Sequence, residues 1–384
     1  MHRPRLLVVL GTRPEAIKMA PVIAALRKRP QVDTRVLATG QHRTLLKQDL
    51  DVFGIVPDAE IAPTGAGGAL DVALARLLTG IGSVIERKRP QRVIVHGDTL
   101  TALAATLSAH LRGVPVAHVE AGLRSGDLSA PWPEEGSRRV TGVLADLHFA
   151  PTAGAVAALR AENVPSDAIH LTGNTVADAL RIVQARIAAA PGLTDAVAPV
   201  LARFAGRRIV TVTVHRRENH GVALARIAEA VARLAIREDI GIVVALHPNP
   251  AVAGPLSERL RGCGRVALVR ALDYPAFVRL MAASALILTD SGGVQEEAPA
   301  LGVPVLVLRD RTERPEGVAA GAARIVGTDP ARIVAAASGL LDDPAALGAM
   351  AVVRHCYGDG RAGERIAAIL AATPGRDPAA LERR

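Results

Sequence analysis

Short runs of Val, Ile and Leu alternate with longer Ala-rich stretches along almost the whole chain. LLVVLG, TRVLATG, RVIVHGD, VAHVEAG, LHFAPT and IHLTGN occupy the first half. RIVTVTVH, IGIVVALH, RVALVRA, ALILTDS, PVLVLRD and ARIVGT occupy the second. Stretches such as ALARLLTGIGSVIERKR and ALARIAEAVARLAIRE lie between them with helical character. Near-continuous apolar runs of this length suit strands buried on both faces, and right-handed βαβ crossovers bring such strands into parallel sheets. Six runs on either side of a break predict an α/β protein of two Rossmann-like doubly wound domains rather than one closed barrel. The break falls in APGLTDAVAPVLARFAGRR, Ala190 to Arg208, which carries Pro and Gly and no strand pattern. The expected domains are 1–174 and 175–360, with a closing helix at 361–373 packing back on the first. The segment Thr175 to Ala189 reads as a helix leading out of the first domain, and the polar tail after Pro374 reads as frayed.

At 384 residues the chain exceeds what one ordinary core accommodates, which agrees with two domains. Aromatic residues make up only 2%, so the core is aliphatic and the stacking platforms of single-strand nucleic-acid binders are missing. The net charge is +9, carried mainly by arginine, without a block of five or six like charges. A solvated arginine-rich surface accounts for it, with a small anionic ligand as the alternative and no nucleic-acid partner expected. Cys263 and Cys356 stand far apart, in no metal-ligand pattern, as in a reducing compartment. The apolar run Leu6 to Leu10 is too short for a signal sequence, and no run approaches the ~18 residues of a membrane span. A cytoplasmic protein with no membrane partner is expected.

Ligands of open α/β sheets bind beyond the carboxyl ends of the strands. Seven polar groups stand there: Gly11-Thr12-Arg13, Gly40-Gln41-His42-Arg43, His96-Gly97-Asp98, Glu120-Ala121-Gly122, His215-Arg216-Arg217, His247-Pro248 and Asp290-Ser291-Gly292-Gly293. Any one could cap a helix; seven together point to one interdomain cleft.

The stretch TDSGGVQEEAPALGVPVLVLRDRTERPEG says most. A strand ends at Asp290, two glycines follow, and a helix begins. Such a turn aims free N–H groups and the positive helix end at a phosphate. Glu297 falls in the first turns of that helix, where it can accept hydrogen bonds from ribose hydroxyls, and Arg314 can reach back toward the phosphate. GTRPEAIKMAP is neither a Walker loop nor G-x-G-x-x-G, and GAGGAL at Gly65 to Leu70 has no strand before it, so the dinucleotide fingerprint is missing. Arg13 and Lys18 place two cations near the cleft, and Pro21 is expected to break or kink a helix there. Asp98 and Glu120 close successive strands; each can be an N-cap or one of a pair of acids for general acid–base chemistry. His215 with Arg216 and Arg217 resembles a diphosphate clamp, and His247 sits in a proline-bounded loop. SAPWPEEGSRR holds the only tryptophan and two adjacent carboxylates, with Pro133 suited to start a helix. Both glutamates are placed to meet the helix dipole, and either is also a candidate catalyst; the residues alone leave that choice open. No metal-ligand spacing appears.

GTRPEAIKMAPV, TGQHR, VHGDT, HVEAGLRSGD, PWPEE, HFAPT, GNTVADAL, HRREN, HPNP, LTDSGGVQEEAPALGVPVLVLRD and TERPEGV run in order from residue 11 to about residue 328, with YGDG extending the series at Tyr357. In these pieces the chain resembles the non-hydrolysing UDP-N-acetylglucosamine 2-epimerases. The resemblance implies a fold like that of GT-B glycosyltransferases, a homodimer, no cofactor, and interconversion of UDP-GlcNAc with UDP-ManNAc through elimination of UDP to 2-acetamidoglucal and re-addition. It implies Asp98, Glu120 and Glu134 as the carboxylates, with His215 near the reacting centre or the phosphates; which acid serves which face of C2 stays open. Arg13, Lys18 and the Ser291-Gly292-Gly293 turn would bind diphosphate, with Arg314 completing those contacts. Glu297 would hold the ribose and Phe277 would lie near the uracil. Some members bind UDP-GlcNAc at a second, activating site, which Gln41, Arg43 and His247 would match here. The chain departs from the family pattern at Gly136-Ser137, where Asn is usual before the arginine, at Ala245, where proline is usual, and in the few polar side chains of GAGGAL. Rival functions are a hydrolysing 2-epimerase, an epimerase of a diacetamido-uronate nucleotide, a GT-B glycosyltransferase and a nucleotide-sugar sensor.

Overall fold

The computed structural model describes residues 3–40, 43–61, 69–352, 355–373 and 375, with residues 43–45 described by their backbone only. Two parallel sheets carry the chain. The first contains β1 (Arg5–Leu10), β2 (Asp33–Ala38), β3 (Ala59–Glu60), β4 (Arg92–His96), β5 (Val116–Val119), β6 (Leu147–Ala150) and β7 (Ile169–Leu171), in the order 3-2-1-4-5-6-7. The second contains β8 (Arg208–Thr213), β9 (Ile240–Ala245), β10 (Val266–Val269), β11 (Ser284–Thr289), β12 (Val305–Val307) and β13 (Ala323–Ile325), in the order 10-9-8-11-12-13. The strand order reverses between β1 and β4 in one sheet and between β8 and β11 in the other. In doubly wound sheets that reversal is where ligands bind.

The apolar runs are continuous because both faces are covered. Along β1, Leu6, Val8 and Leu10 pack with the helices Arg13–Arg27 and Ala362–Ala372, while Leu7 and Val9 pack with Leu70–Lys88 and Leu100–His110. In the second sheet, Val210 and Val212 face one helical layer, and Ile209 and Val243 face the other. The sequence anticipates six strands in the first half, but the structure adds a seventh, β3. Two residues without β-branched character leave no sequence signal, and β3 exists only because Leu37 and Ala38 of β2 pair with it.

Pro21 does not break its helix, contrary to expectation: Arg13–Arg27 runs through it. Every residue from Glu15 to Ile23 is buried, and that packing outweighs the missing hydrogen bond. The helix Ala362–Ala372 lies against it, and a Cβ on Gly363 would come within 2.9 Å of the Pro21 carbonyl carbon. Asp178 caps the returning helix by accepting from the Ala362 and Gly363 N–H groups at 3.2 and 2.9 Å. Thr175–Ile182 and the Tyr357–Gly360 turn belong with the first sheet, and the second compact unit runs from Val183 to Cys356. Among the described residues, no single helix is long and apolar enough to cross a membrane.

Candidate functional site

In the first unit, the loops after β1, β4 and β5 gather the polar residues. Gly11 follows β1 because a Cβ there would lie 2.0 Å from Thr101 Oγ1 and 2.6 Å from Thr39 Oγ1. Glu15 closes the turn: its carboxylate accepts from the N–H groups of Gly11 and Thr12 at 2.9 and 2.6 Å, and from the hydroxyls of Thr12 and Thr99 at 2.8 and 2.7 Å. Burial pushes the Glu15 carboxyl up, and the hydrogen bonds from Thr99 and Thr12, the charge of His96 and the Gly11 N–H offset this only partly. Arg13 turns to Asp49, 3.2 Å away.

Lys18 projects from the second turn of the same helix and meets Glu120 in an almost fully buried ion pair. The same Glu120 oxygen lies 3.3 Å from Asn174 Nδ2 and 3.5 Å from His96 Nε2. Glu120 sits at φ 64°, in the left-handed region that a non-glycine residue occupies only when its surroundings hold it there. Asp98 is not the N-cap of the helix after β4. Thr99 takes that role, accepting from Ala102 N–H at 3.0 Å, because its hydroxyl stands one residue nearer the first turn. Asp98 instead gives one oxygen, Oδ2, to Arg138 Nε at 3.1 Å and to Nη2 of the same guanidinium.

Arg138 belongs to the helix Glu134–Leu144, which Pro133 precedes as expected from the sequence. Glu134 is half-buried, and its side chain has no hydrogen bond or ion pair among the described residues. Glu135 does more than meet the dipole. It is fully buried and accepts from Ser125 N–H at 3.0 Å, Arg138 Nη1 at 3.1 Å and Arg139 Nε at 3.1 Å. Burial pushes its carboxyl up, but the Ser125 N–H and the guanidiniums of Arg139 and Arg138 outweigh burial and hold it below the usual range. The spacing of Glu135 to Arg138 and Arg139, three and four residues on one helix, was the available signal for this cluster.

In the second unit, the loops after β8 and β11 meet at Asp290. This fully buried carboxylate accepts from the N–H groups of His215 at 3.1 Å and Arg216 at 3.0 Å, and from Asn219 Nδ2 at 2.9 Å. His215 Nδ1 lies 3.5 Å from Asp290, and its ring stacks on His247 with centroids 5.7 Å apart. Burial lowers the His215 pKa; Asp290 opposes that, and the charges of Arg216 and His247 add to it, so the ring is neutral near pH 7. His247 Nδ1 accepts from Asn249 N–H at 3.1 Å.

The helix Gly292–Ala300 starts beneath two guanidiniums. A Cβ on Gly292 would lie 3.2 Å from Arg314 Cζ and 3.4 Å from Arg216 Nη2, whereas one on Gly293 would meet only Ser291 Oγ at 3.9 Å. Close approach therefore requires the first glycine only. Ser291 N–H donates to Thr289 Oγ1 at 2.9 Å. Arg314 Nε is held by Glu296 at 2.9 Å. Glu313 stands behind the arginines, 2.5 Å from Arg309, 3.7 Å from Arg216 and 3.9 Å from Arg314. Burial opposes its ionisation, yet Arg314, Arg216 and Arg309 hold its pKa at about 2. Glu297 accepts from the buried Tyr274 hydroxyl at 2.9 Å, and Phe277, half-buried, packs on the Val243, Ala276 and Leu280 layer.

The structure thus brings Lys18 to Glu120, and His215 to His247 and Asp290. It also places Arg314 over Gly292. Sequence reasoning missed Glu15, Glu135, Arg138, Asn174, Tyr274 and Glu313, whose partners are distant in the chain or look like ordinary helix surface. Gln41 lies outside the described residues, as do the Arg43 side chain and residues 62–68, which include most of GAGGAL. Among the described residues, no group of three or more His, Cys, Asp or Glu side chains could hold a metal ion.

The family model described as UDP-N-acetylglucosamine 2-epimerase matches residues 24–371. The chain is 46% identical over 364 residues to an Escherichia coli protein named UDP-N-acetylglucosamine 2-epimerase, covering 94% of this chain and 97% of that one. It is similar to the crystal structure of UDP-GlcNAc 2-epimerase from Neisseria meningitidis bound to UDP-GlcNAc, with TM-score 0.93, 40% identity and coverage of 96% and 100%. It is also similar to the Methanocaldococcus jannaschii UDP-GlcNAc 2-epimerase in complex with UDP-GlcNAc and UDP, with TM-score 0.83, 33% identity and coverage of 96% and 99%.

Proposed function

This chain belongs to the UDP-N-acetylglucosamine 2-epimerase family, and we propose that it interconverts UDP-GlcNAc and UDP-ManNAc by inverting the sugar at C2. One observation carries the proposal: Asp98, with one oxygen on Arg138 and the other open, stands at a strand end of the first sheet, and guanidiniums cover a helix start in the second. Proton transfer needs the former, and a leaving diphosphate needs the latter.

In the second unit, the Ser291-Gly292-Gly293 turn, with Arg216 and Arg314, binds the diphosphate. Glu297 takes the ribose hydroxyls, oriented by Tyr274, and Phe277 lies near the uracil. In the first unit, Arg13 and Lys18 are the cations offered to the diphosphate, and Asp98, Glu120 and Glu134 are the acid–base groups. His215, neutral, serves the reacting centre or the phosphates. One carboxylate takes the C2 proton. The C–H electron pair becomes the C1–C2 double bond as the C1–oxygen pair departs with UDP, leaving 2-acetamidoglucal. The UDP oxygen then returns to C1 while C2 receives a proton on the opposite face. The elimination itself supplies the driving force that a non-acidic C2–H lacks.

Incubation with UDP-GlcNAc in deuterated water, followed by NMR of the sugar, tests this. UDP-ManNAc carrying deuterium at C2 is expected. Free ManNAc would identify a hydrolysing enzyme, and an unchanged substrate that reacts only with an added acceptor would identify a transferase. We also infer a homodimer acting in the cytoplasm, with UDP-GlcNAc as activator at a second site that includes Gln41, Arg43 and His247. Sedimentation and the shape of the substrate saturation curve test the dimer and the activator.

A further inference from the structure

We propose that Glu135 is a positioning residue for this reaction: through Arg138 it holds Asp98 with one oxygen occupied and the other open. The proposal rests on the acid–base role given to Asp98 above. A fully buried carboxylate is costly unless its oxygens are satisfied, and here both are. A glutamate serving only the helix dipole would stay in solvent beside the first-turn N–H groups. Glu135 instead turns its oxygens to Arg138 and Arg139 on its own helix and to Ser125 in the loop after β5.

The guanidinium of Arg138 is a planar fork, so anchoring one edge orients the other. Nη1 is anchored on Glu135, and Nε and Nη2 then both meet Asp98 Oδ2. Asp98 Oδ1 has no partner among the described residues, which leaves it to meet a proton on the substrate. Two carboxylates face two guanidiniums, so the cluster balances its own charge. With Glu135 neutralised, Arg138 loses that anchor and Asp98 is free to rotate. The neighbouring Glu134 takes no part in this network.

The test compares Glu135→Gln, Arg138→Gln and the double variant in the full-length enzyme, measuring kcat, KM, UDP affinity and thermal midpoint. Glu135→Gln is expected to lower kcat by about 10- to 100-fold, the scale of a small misplacement of a reacting group. KM and UDP affinity should stay within about threefold, since binding contacts remain, and the double variant should match Arg138→Gln alone, because groups acting in one chain are not additive. Wild-type kcat in Glu135→Gln, or losses that multiply in the double variant, would overturn the proposal. If Glu135→Gln does not fold, Arg138→Lys decides: it keeps the charge and removes the fork, and a wild-type kcat there would also overturn it. Asp98→Asn is the separate control. Full activity in that variant would remove Asp98 from the mechanism, and this proposal with it, whatever the other variants show.

Discussion

Asp98 and Asp290 each follow a strand beside the point where strand order reverses, yet the structure gives them opposite work. Asp290 is fully enclosed and spends both oxygens on His215, Arg216 and Asn219. Asp98 keeps a side chain 30% exposed and spends one oxygen on Arg138. The first ties two loops together, and the second has capacity left for a substrate. A strand-end carboxylate is therefore catalytic or structural according to how many donors surround it, not according to its place in the topology.

Exchanging these two acids for their amides is the most direct way to break that contrast. Asp98→Asn is expected to cut turnover at least ~100-fold, as is Glu134→Gln, with the thermal midpoint unchanged; steady-state kinetics and a melt check both. Asp290→Asn should instead lower stability by about 2–3 kcal/mol in denaturant titration, because an amide nitrogen is turned toward donors that had a carboxylate. If Asp290→Asn were stable and merely slow, the contrast would collapse.

Acidification probes the sheet that carries Asp98. His118 and His148 are paired across β5 and β6 and buried. Burial, then the charge of His148, hold His118 at about 3, while its Nε2 meets the Gly97 carbonyl oxygen at 2.8 Å; burial also lowers His148. Both folded pKa values lie below the unfolded value near 6.5, so the contribution is complete above pH 6.5 and is lost as pH falls, for His118 down to about 3. His118 should lower stability by about 2 kcal/mol between pH 6.5 and 5, with His148 acting in the same direction, measured by unfolding at each pH. A flat profile would show that these histidines are not buried neutral.

Two substitutions sharpen the second unit's part. Tyr274→Phe removes the hydroxyl from Glu297 and should weaken UDP binding or stability by about 1 kcal/mol. Gly292→Ala requires the Arg314 and Arg216 guanidiniums to retreat by a few tenths of an ångström, and severalfold weaker UDP binding by calorimetry, about 1 kcal/mol, is expected. Gly293→Ala, whose Cβ would make only an ordinary contact with Ser291 Oγ at 3.9 Å, should weaken UDP binding less than Gly292→Ala does.

Much of this was legible in the residues. Twelve of the thirteen strands announce themselves as apolar runs, since burial on both faces demands them; β3, two residues long, does not. The glycine after β1 and the acids after β4 and β5 also stand out, because turns and strand ends use few residue types. Pro21 misled, since local preference says nothing of the helix Ala362–Ala372 that packs against it. Glu135 misled for the same reason: Ser125 and Asp98 are ten and 37 positions away in the chain, and only the fold brings them near.

The sequence by itself determined the alternation of strand and helix, the two parallel sheets and the residue types at their carboxyl ends. These depend on local hydrophobic period and turn chemistry, both written in consecutive residues. Tertiary structure alone decided which of two adjacent glutamates is buried, that Thr99 rather than Asp98 caps a helix, and that Asp290 is saturated while Asp98 is not. Those outcomes depend on how many donors reach a carboxylate and how much water is excluded from it. Both quantities are set by residues that meet only when the sheet closes.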